Sequence, residues 1–72
     1  MANFGKRLKE LRTALGLTQK QMAETFSITI RSYSRYETDD STPHYAMLLS
    51  LADYFDVSLD YLVGRSDDPE RR

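Results

Sequence analysis

The 72-residue chain is long enough for one small domain, because two domains of this total length would each bury too little apolar surface. With 40% hydrophobic residues, 29% charged residues and no cysteine, it has the composition of a globular protein stabilised by packing rather than by disulfides. No apolar run approaches the roughly 20 residues that span a bilayer, and the N-terminus lacks the hydrophobic stretch of a signal peptide. These features predict a cytoplasmic protein with no membrane partner.

The net charge of −1 conceals a difference between the two halves of the chain. Seven basic and three acidic residues give residues 1–37 a charge of +4, whereas three basic and eight acidic residues give residues 38–72 a charge of −5. Such an asymmetry is typical of proteins that present one face to nucleic acid. We therefore expect the N-terminal half to carry any contact with a polyanion.

A first helix is predicted from apolar residues spaced by three and four, which share one helix face. These residues are Phe4, Leu8, Leu11 and Leu15. Gly16 is expected to end this helix, because glycine readily takes the left-handed conformation of a helix C-terminus.

Two further helices are predicted in close succession. Thr18 and Gln21 have the spacing of a capping box, which begins the second helix. Ser27 and Ile28 leave room only for a tight turn before Thr29 caps a third helix that continues to about Glu37. Residues 38–43 are mostly polar and are predicted to form the longest loop.

The last two helices follow this loop. Pro43 is expected at or just before the fourth helix, and Ser58 is expected to cap a short fifth helix that Gly64 ends. Their predicted inner faces comprise Leu48, Leu51, Ala52 and Phe55, then Leu59, Leu62 and Val63. The prediction is an all-α, compact five-helix domain over residues 1–64, with residues 65–72 as a polar, frayed tail.

Three segments together resemble the Cro/C1-type (XRE-family) DNA-binding domain of phage and bacterial repressors. They are residues 17–24 (LTQKQMAE), residues 31–37 (RSYSRYE) with Pro43, and residues 51–62 (LADYFDVSLDYL). The resemblance covers about residues 4–64. It implies a lambda-repressor-like fold with a helix-turn-helix formed by the second and third helices. It also implies a bacterial or phage-encoded regulator that binds double-stranded operator DNA, usually as a homodimer.

The third helix is the candidate for reading bases. Arg31 and Arg35 lie on one side of it, with Ile30 and Ser34 on the adjoining row. Arginine can donate two hydrogen bonds to guanine, and an isoleucine can pack on a thymine methyl group. The alternative is a solvated basic stripe beside an ordinary exposed apolar residue.

The starts of the second and third helices are candidates for binding phosphate, because a helix N-terminus offers free N–H groups and partial positive charge. The family resemblance implies a phosphate contact for Gln19, and Lys20 is expected to add a second one. Thr18 and Thr29 are predicted to cap their helices and are also candidates for phosphate contacts.

Three further expectations concern packing and assembly. The resemblance implies that Arg12 and Glu37 form a structural ion pair between the first and third helices. The apolar candidates for a dimer contact are Tyr54, Tyr61, Leu62 and Val63.

After the third helix the family usually has an Asn-Gly pair, where this chain has Thr38-Asp39. The two acidic residues Asp39 and Asp40 would be repelled by DNA. Either this loop turns away from DNA, or it contacts the backbone through Ser41, Thr42 and main-chain N–H groups.

No catalytic residues, cofactor or metal site is predicted. His44 is the only histidine, with no cysteine or second histidine to complete a metal site, and no nucleophile motif is present. The leading hypothesis is a sequence-specific DNA-binding regulator that acts as a repressor. The alternative is a helical protein-interaction module, or an antitoxin-like protein with a second protein partner, that binds DNA weakly or not at all.

Overall fold

The computed structural model describes residues 3–71, which form five α-helices and no strand. The helices are α1 (Phe4–Ala14), α2 (Gln19–Thr25), α3 (Ile30–Glu37), α4 (Tyr45–Phe55) and α5 (Leu59–Leu62). This confirms the predicted all-α, five-helix architecture. Within residues 3–71 no helix has the length and apolar character needed to cross a membrane.

The helix starts lie where capping residues predict them, because each cap accepts a hydrogen bond from the N–H three residues further on. Thr18 accepts from Gln21 N at 3.1 Å, and the Gln21 side chain accepts from Thr18 N at 2.8 Å, which completes the capping box. Thr29 caps α3 and Ser58 caps α5 in the same way, both at 3.0 Å. His44 caps α4 through Nδ1, so Pro43 lies just before the helix as expected.

A four-residue connection joins α2 to α3. Ser27 has a φ of 57°, and Ile28 N donates to Ala23 O at 3.0 Å, which closes the C-terminal end of α2. The left-handed conformation at Ser27 turns the chain within one residue, so that Thr29 can begin the next helix immediately. The turn therefore holds α3 close against α2.

One hydrophobic core connects all five helices, with Leu8, Met22, Tyr33, Leu51 and Leu62 as its largest fully buried side chains. The apolar spacing predicts that Leu15 lies on the buried face of the first helix. This prediction is wrong, because the Leu15 side chain is 59% exposed. Helix α1 ends at Ala14, and Leu15 forms its C-cap, so the helical spacing no longer applies to it.

The expectation of a frayed tail is also wrong for residues 65–71. The carbonyl of Pro69 accepts a hydrogen bond from Ser58 N at 3.0 Å, and Arg71 pairs with Asp53 on α4. On the other side, Arg7 of α1 donates to the carbonyl of Ser66 at 3.4 Å. Backbone and charged side-chain contacts thus hold a segment that has no apolar residue to bury.

Candidate nucleic-acid interface

Helix α3 presents the predicted base-reading residues on its outer side. Tyr33 is 1% exposed and marks the inner side, and Arg31 and Arg35 lie about 160° from it around the helix axis. Ile30 is 47% exposed and Ser34 is half-buried. Ile30 and Ser34 form a row between Tyr33 and the two arginines, so the four residues share one surface along α3 with the arginines at its outermost edge. The Arg35 guanidinium also lies 3.5 Å from the carbonyl of Asp40 in the following loop.

The predicted phosphate-binding residues lie at the starts of α2 and α3. Lys20 is exposed, and Thr18 and Thr29 both use their hydroxyl oxygens to cap their helices. Gln19 is half-buried, and its Nε2 donates to Glu37 Oε1 at 3.1 Å. This hydrogen bond between Gln19 and Glu37 fixes the first turn of α2 relative to α3, the helix that carries the predicted base-reading residues.

Arg12 and Glu37 form the interhelical ion pair that the family resemblance implies. Arg12 Nε lies 2.6 Å from Glu37 Oε2, and Arg12 Nη2 lies 3.1 Å from Oε1. A third donor, Arg12 Nη1, reaches the carbonyl of Leu17 at 2.8 Å. The side chains of Arg12 and Glu37 are only 11% and 3% exposed. The pair therefore ties α1, the α1–α2 connection and the C-terminal end of α3 together in a largely dry environment.

Electrostatics within this cluster favour the charged pair. Burial raises the pKa of Glu37, but the hydrogen bonds from Arg12 and Gln19 and the neighbouring Tyr33 hydroxyl outweigh burial and hold the pKa below its usual value. The carboxylate of Glu37 in turn raises the pKa of Arg12. Burial raises the pKa of Tyr33, whose hydroxyl has no hydrogen-bond partner of good geometry within residues 3–71. Glu37 is therefore ionised at neutral pH although it is buried.

The acidic loop after α3 does not direct all of its charge outward. The carboxylate of Asp39 accepts a hydrogen bond from Gly5 N, at the start of α1, at 3.1 Å. Asp40 accepts from the Thr38 hydroxyl at 3.0 Å and remains exposed. The first carboxylate of the loop therefore bonds to α1, although Asp39 and Asp40 are both exposed residues.

The candidate dimer residues differ sharply in exposure. Leu62 is 0% exposed and belongs to the core, so its assignment to a dimer contact is wrong. Leu62 lies on the inner face of α5, as the apolar spacing also predicts, so its side chain faces the core and not solvent. Tyr61 is half-buried beneath the Arg7 guanidinium, which lies 3.7 Å from the ring centre. Val63 is half-buried, and Tyr54 is 41% exposed.

Two features of the site were not anticipated from the sequence. Arg7 is 6% exposed and donates from Nη1 to Tyr61 O at 2.8 Å, whereas the charge of the N-terminal half predicts basic side chains that face a polyanion. Gly5 lies in the first turn of α1, where a Cβ atom would fall 2.4 Å from Glu37 O. A glycine inside a predicted helix is the available signal for such a close approach, whereas nothing in the local sequence distinguishes Arg7 from its exposed neighbours.

Comparison with known proteins agrees with this geometry. The helix-turn-helix domain family matches residues 5–67, and the chain belongs to that family. This confirms the resemblance identified from the three sequence segments. The match also includes Ser66 and Asp67, which both accept hydrogen bonds from Arg7.

Several relatives are transcriptional regulators by name. The chain is 43% identical over 67 residues to the HTH-type transcriptional regulator YobD of Bacillus subtilis, covering 93% of this chain and 60% of the relative. It is 43% identical over 65 residues to the regulator ImmR of the same species, covering 90% and 51%. The cryptic phage CTXphi transcriptional repressor RstR of Vibrio cholerae is 38% identical over 60 residues, covering 83% and 54%. The chain thus spans between half and three-fifths of the length of these relatives.

Proposed function

We propose that this chain is the DNA-binding part of a sequence-specific transcriptional repressor. The observation that carries the proposal is the outer surface of α3, where Ile30, Arg31, Ser34 and Arg35 lie side by side on a helix whose opposite side packs Tyr33 into the core. A helix presented in this way can enter the major groove and make two-pronged arginine contacts with guanine. We propose no catalytic role for the domain.

Phosphate contacts would orient the domain on the duplex. Lys20 at the start of α2 and Ile30 and Arg31 at the start of α3 are exposed residues of the same helix-turn-helix. In this arrangement Gln19 offers the phosphate backbone its remaining amide hydrogen, while its bond to Glu37 fixes its direction. The caps Thr18 and Thr29 lie beside the N-terminal N–H groups of α2 and α3. Such contacts set register and add affinity for every sequence, whereas the α3 side chains select among sequences.

The proposed assembly is a homodimer on a two-fold operator in the bacterial cytoplasm, with half-sites about one helical turn, or roughly 34 Å, apart. Tyr54 is the most exposed of the apolar candidates for the contact between copies. The mass of the free protein and of its DNA complex tests this assembly. A single copy bound to a two-fold site would contradict it.

Selection of bound sites from random DNA tests the main proposal. We expect a defined two-fold consensus for the wild type. Arg31→Ala and Arg35→Ala should each weaken binding to it by about 1–3 kcal/mol and relax the preference at particular base pairs. Lys20→Ala should weaken binding to all sequences and reduce the salt dependence by about one phosphate contact.

Arg65→Ala is the matched control, because it removes an arginine whose side chain is 78% exposed and lies in the acidic half of the chain. It should bind like the wild type. If Arg31→Ala and Arg35→Ala behaved like this control, the assignment of α3 would be wrong. Salt-insensitive association with another protein, without binding to any DNA, would instead favour a protein-interaction module.

A further inference from the structure

The loop after α3 is fastened to the start of α1 through one side chain. Asp39 Oδ1 accepts a hydrogen bond from Gly5 N at 3.1 Å, across 34 residues of sequence. Gly5 N is one of the first N–H groups of α1, which have no partner within the helix. A carboxylate at this place also interacts favourably with the positive end of the helix dipole. The contact therefore satisfies a donor that would otherwise depend on solvent.

Two features of the backbone make this contact possible. Asp39 has a φ of 63°, which turns its side chain back toward α1 after the last turn of α3. Gly5 has no side chain, and a Cβ atom there would lie 2.4 Å from Glu37 O and 2.8 Å from Asp39 Oδ2. Glycine thus allows the end of α3 to approach the backbone of α1 directly.

The loop itself is wound tightly around the end of α3. Asp40 N and Ser41 N both donate to the carbonyl of Arg35, at 3.0 and 3.2 Å. Any displacement of Asp39 would therefore be transmitted to the last turn of α3. That turn carries Arg35, a residue of the proposed base-reading surface.

The Asp39–Gly5 bond acts together with a second polar contact between α1 and the C-terminal end of α3. This second contact is the Arg12–Glu37 pair. Gly5 and Arg12 are seven residues apart, so they share one face of α1 and are separated by about 10 Å along its axis. Together with the core packing between the two helices, these two contacts restrict the angle at which α3 crosses α1.

We propose that Asp39 is a positioning residue for DNA recognition, which sets the orientation of the base-reading helix by bonding to Gly5. This inference rests on the proposed function. Although Asp39 is acidic, its carboxylate promotes DNA binding, because it acts on the protein rather than on phosphate. A purely electrostatic view of the loop gives the opposite sign, since removal of a negative charge would then strengthen binding.

The test compares Asp39→Gly with Asp39→Asn. Glycine accepts a positive φ without strain but removes the hydrogen-bond acceptor, whereas asparagine keeps both an acceptor oxygen and a tolerance for this conformation. Binding to the selected operator should become about tenfold weaker for Asp39→Gly if the freed helix adopts the binding orientation about one tenth of the time. For Asp39→Asn it should stay within about threefold of the wild type. Thermal melting checks that each variant is folded at the assay temperature.

Asp40→Gly and Asp40→Asn are the matched controls, because they make the same change of charge one residue away. The Asp40 carboxylate bonds to Thr38 and not to α1. These variants should bind the operator as tightly as the wild type or more tightly. If Asp39→Gly bound as tightly as Asp40→Gly, the positioning role would be overturned.

A second measurement tests the Asp39–Gly5 hydrogen bond in the absence of DNA. In ¹H–¹⁵N spectra of the free protein, the Gly5 amide should shift and exchange faster in Asp39→Gly, but not in Asp40→Gly. An unchanged Gly5 amide would refute the bond itself. A wild-type protein that bound no selected DNA would refute the proposed function and the positioning role with it, whatever the amide showed.

Discussion

Removal of Arg12 should reverse the pH dependence that Glu37 gives to stability. In the wild type the pKa of Glu37 is lowered in the folded state. Glu37 therefore contributes stability that is present above its usual pKa of 4.5 and is lost as the pH falls through the folded value. In Arg12→Met, this carboxyl would remain buried without its cation, and it would take up a proton rather than stay charged.

The size of the effect follows from the free energy that is needed to protonate Glu37 at each pH. At pH 7, two and a half units above the usual pKa of 4.5, protonation costs about 3.4 kcal/mol at 1.36 kcal/mol per unit. At pH 5 the cost falls to about 0.7 kcal/mol, so the variant should gain about 2.7 kcal/mol relative to the wild type between pH 7 and pH 5. Domains of this length have a free energy of unfolding of about 4–10 kcal/mol, so the penalty at pH 7 is a large part of the total.

Urea denaturation at pH 5, 6 and 7 measures this change. Arg12→Met/Glu37→Gln is the first control, because it has no ionisable group at either position and its penalty should not vary with pH. Arg65→Met is the second, since its pair with Asp60 is mostly exposed and should contribute less than about 1 kcal/mol. A penalty for Arg12→Met that is equal at pH 5 and pH 7 would refute the reasoning.

Three further substitutions test the packing. Gly5→Ala should destabilise the fold by about 2–3 kcal/mol, because the new methyl group meets backbone at 2.4 Å; a stability equal to that of the wild type in urea would contradict the close approach. Leu62→Ala should cost about 2–5 kcal/mol without changing the mass of the protein in solution, as expected of a core residue. Arg7→Met should release the end of the chain and make trypsin cleavage after Arg65 several-fold faster. Unchanged cleavage would show that the Arg7 contacts do not hold this segment.

The sequence predicts those parts of the fold that depend on local chemistry. The caps Thr18, Thr29 and Ser58 were identified because a hydroxyl and an N–H three residues apart meet in any helix start. The sequence does not predict which distant residues a long side chain contacts. Arg7 and Arg12 have the same chemistry and lie on the same helix, but one holds the C-terminal segment and the other holds α3.

In the candidate site, too, local features follow from the sequence and long-range contacts do not. The exposed row on α3 follows from helical periodicity, so Arg31 and Arg35 could be selected from the sequence alone. The Asp39–Gly5 bond joins residues 34 apart, and it depends on a left-handed residue and a close backbone approach that only the assembled helices define. Burial of Leu62 likewise depends on which side of α5 faces the core, and apolar character alone does not distinguish core from contact surface.

The turn at Ser27 belongs to a longer stretch, residues 17–63, that contains no glycine. All three positive-φ junctions within that stretch are formed by serine or aspartate, at Ser27, Asp39 and Asp56. Such residues have fewer accessible backbone conformations than glycine, so these junctions make poor hinges. A helix-turn-helix built in this way has little freedom to adjust its shape to a duplex. In a complex the backbone of the domain would therefore keep nearly the shape that it has in the free protein, and most of the adjustment on the protein side would come from side chains such as Arg31 and Arg35.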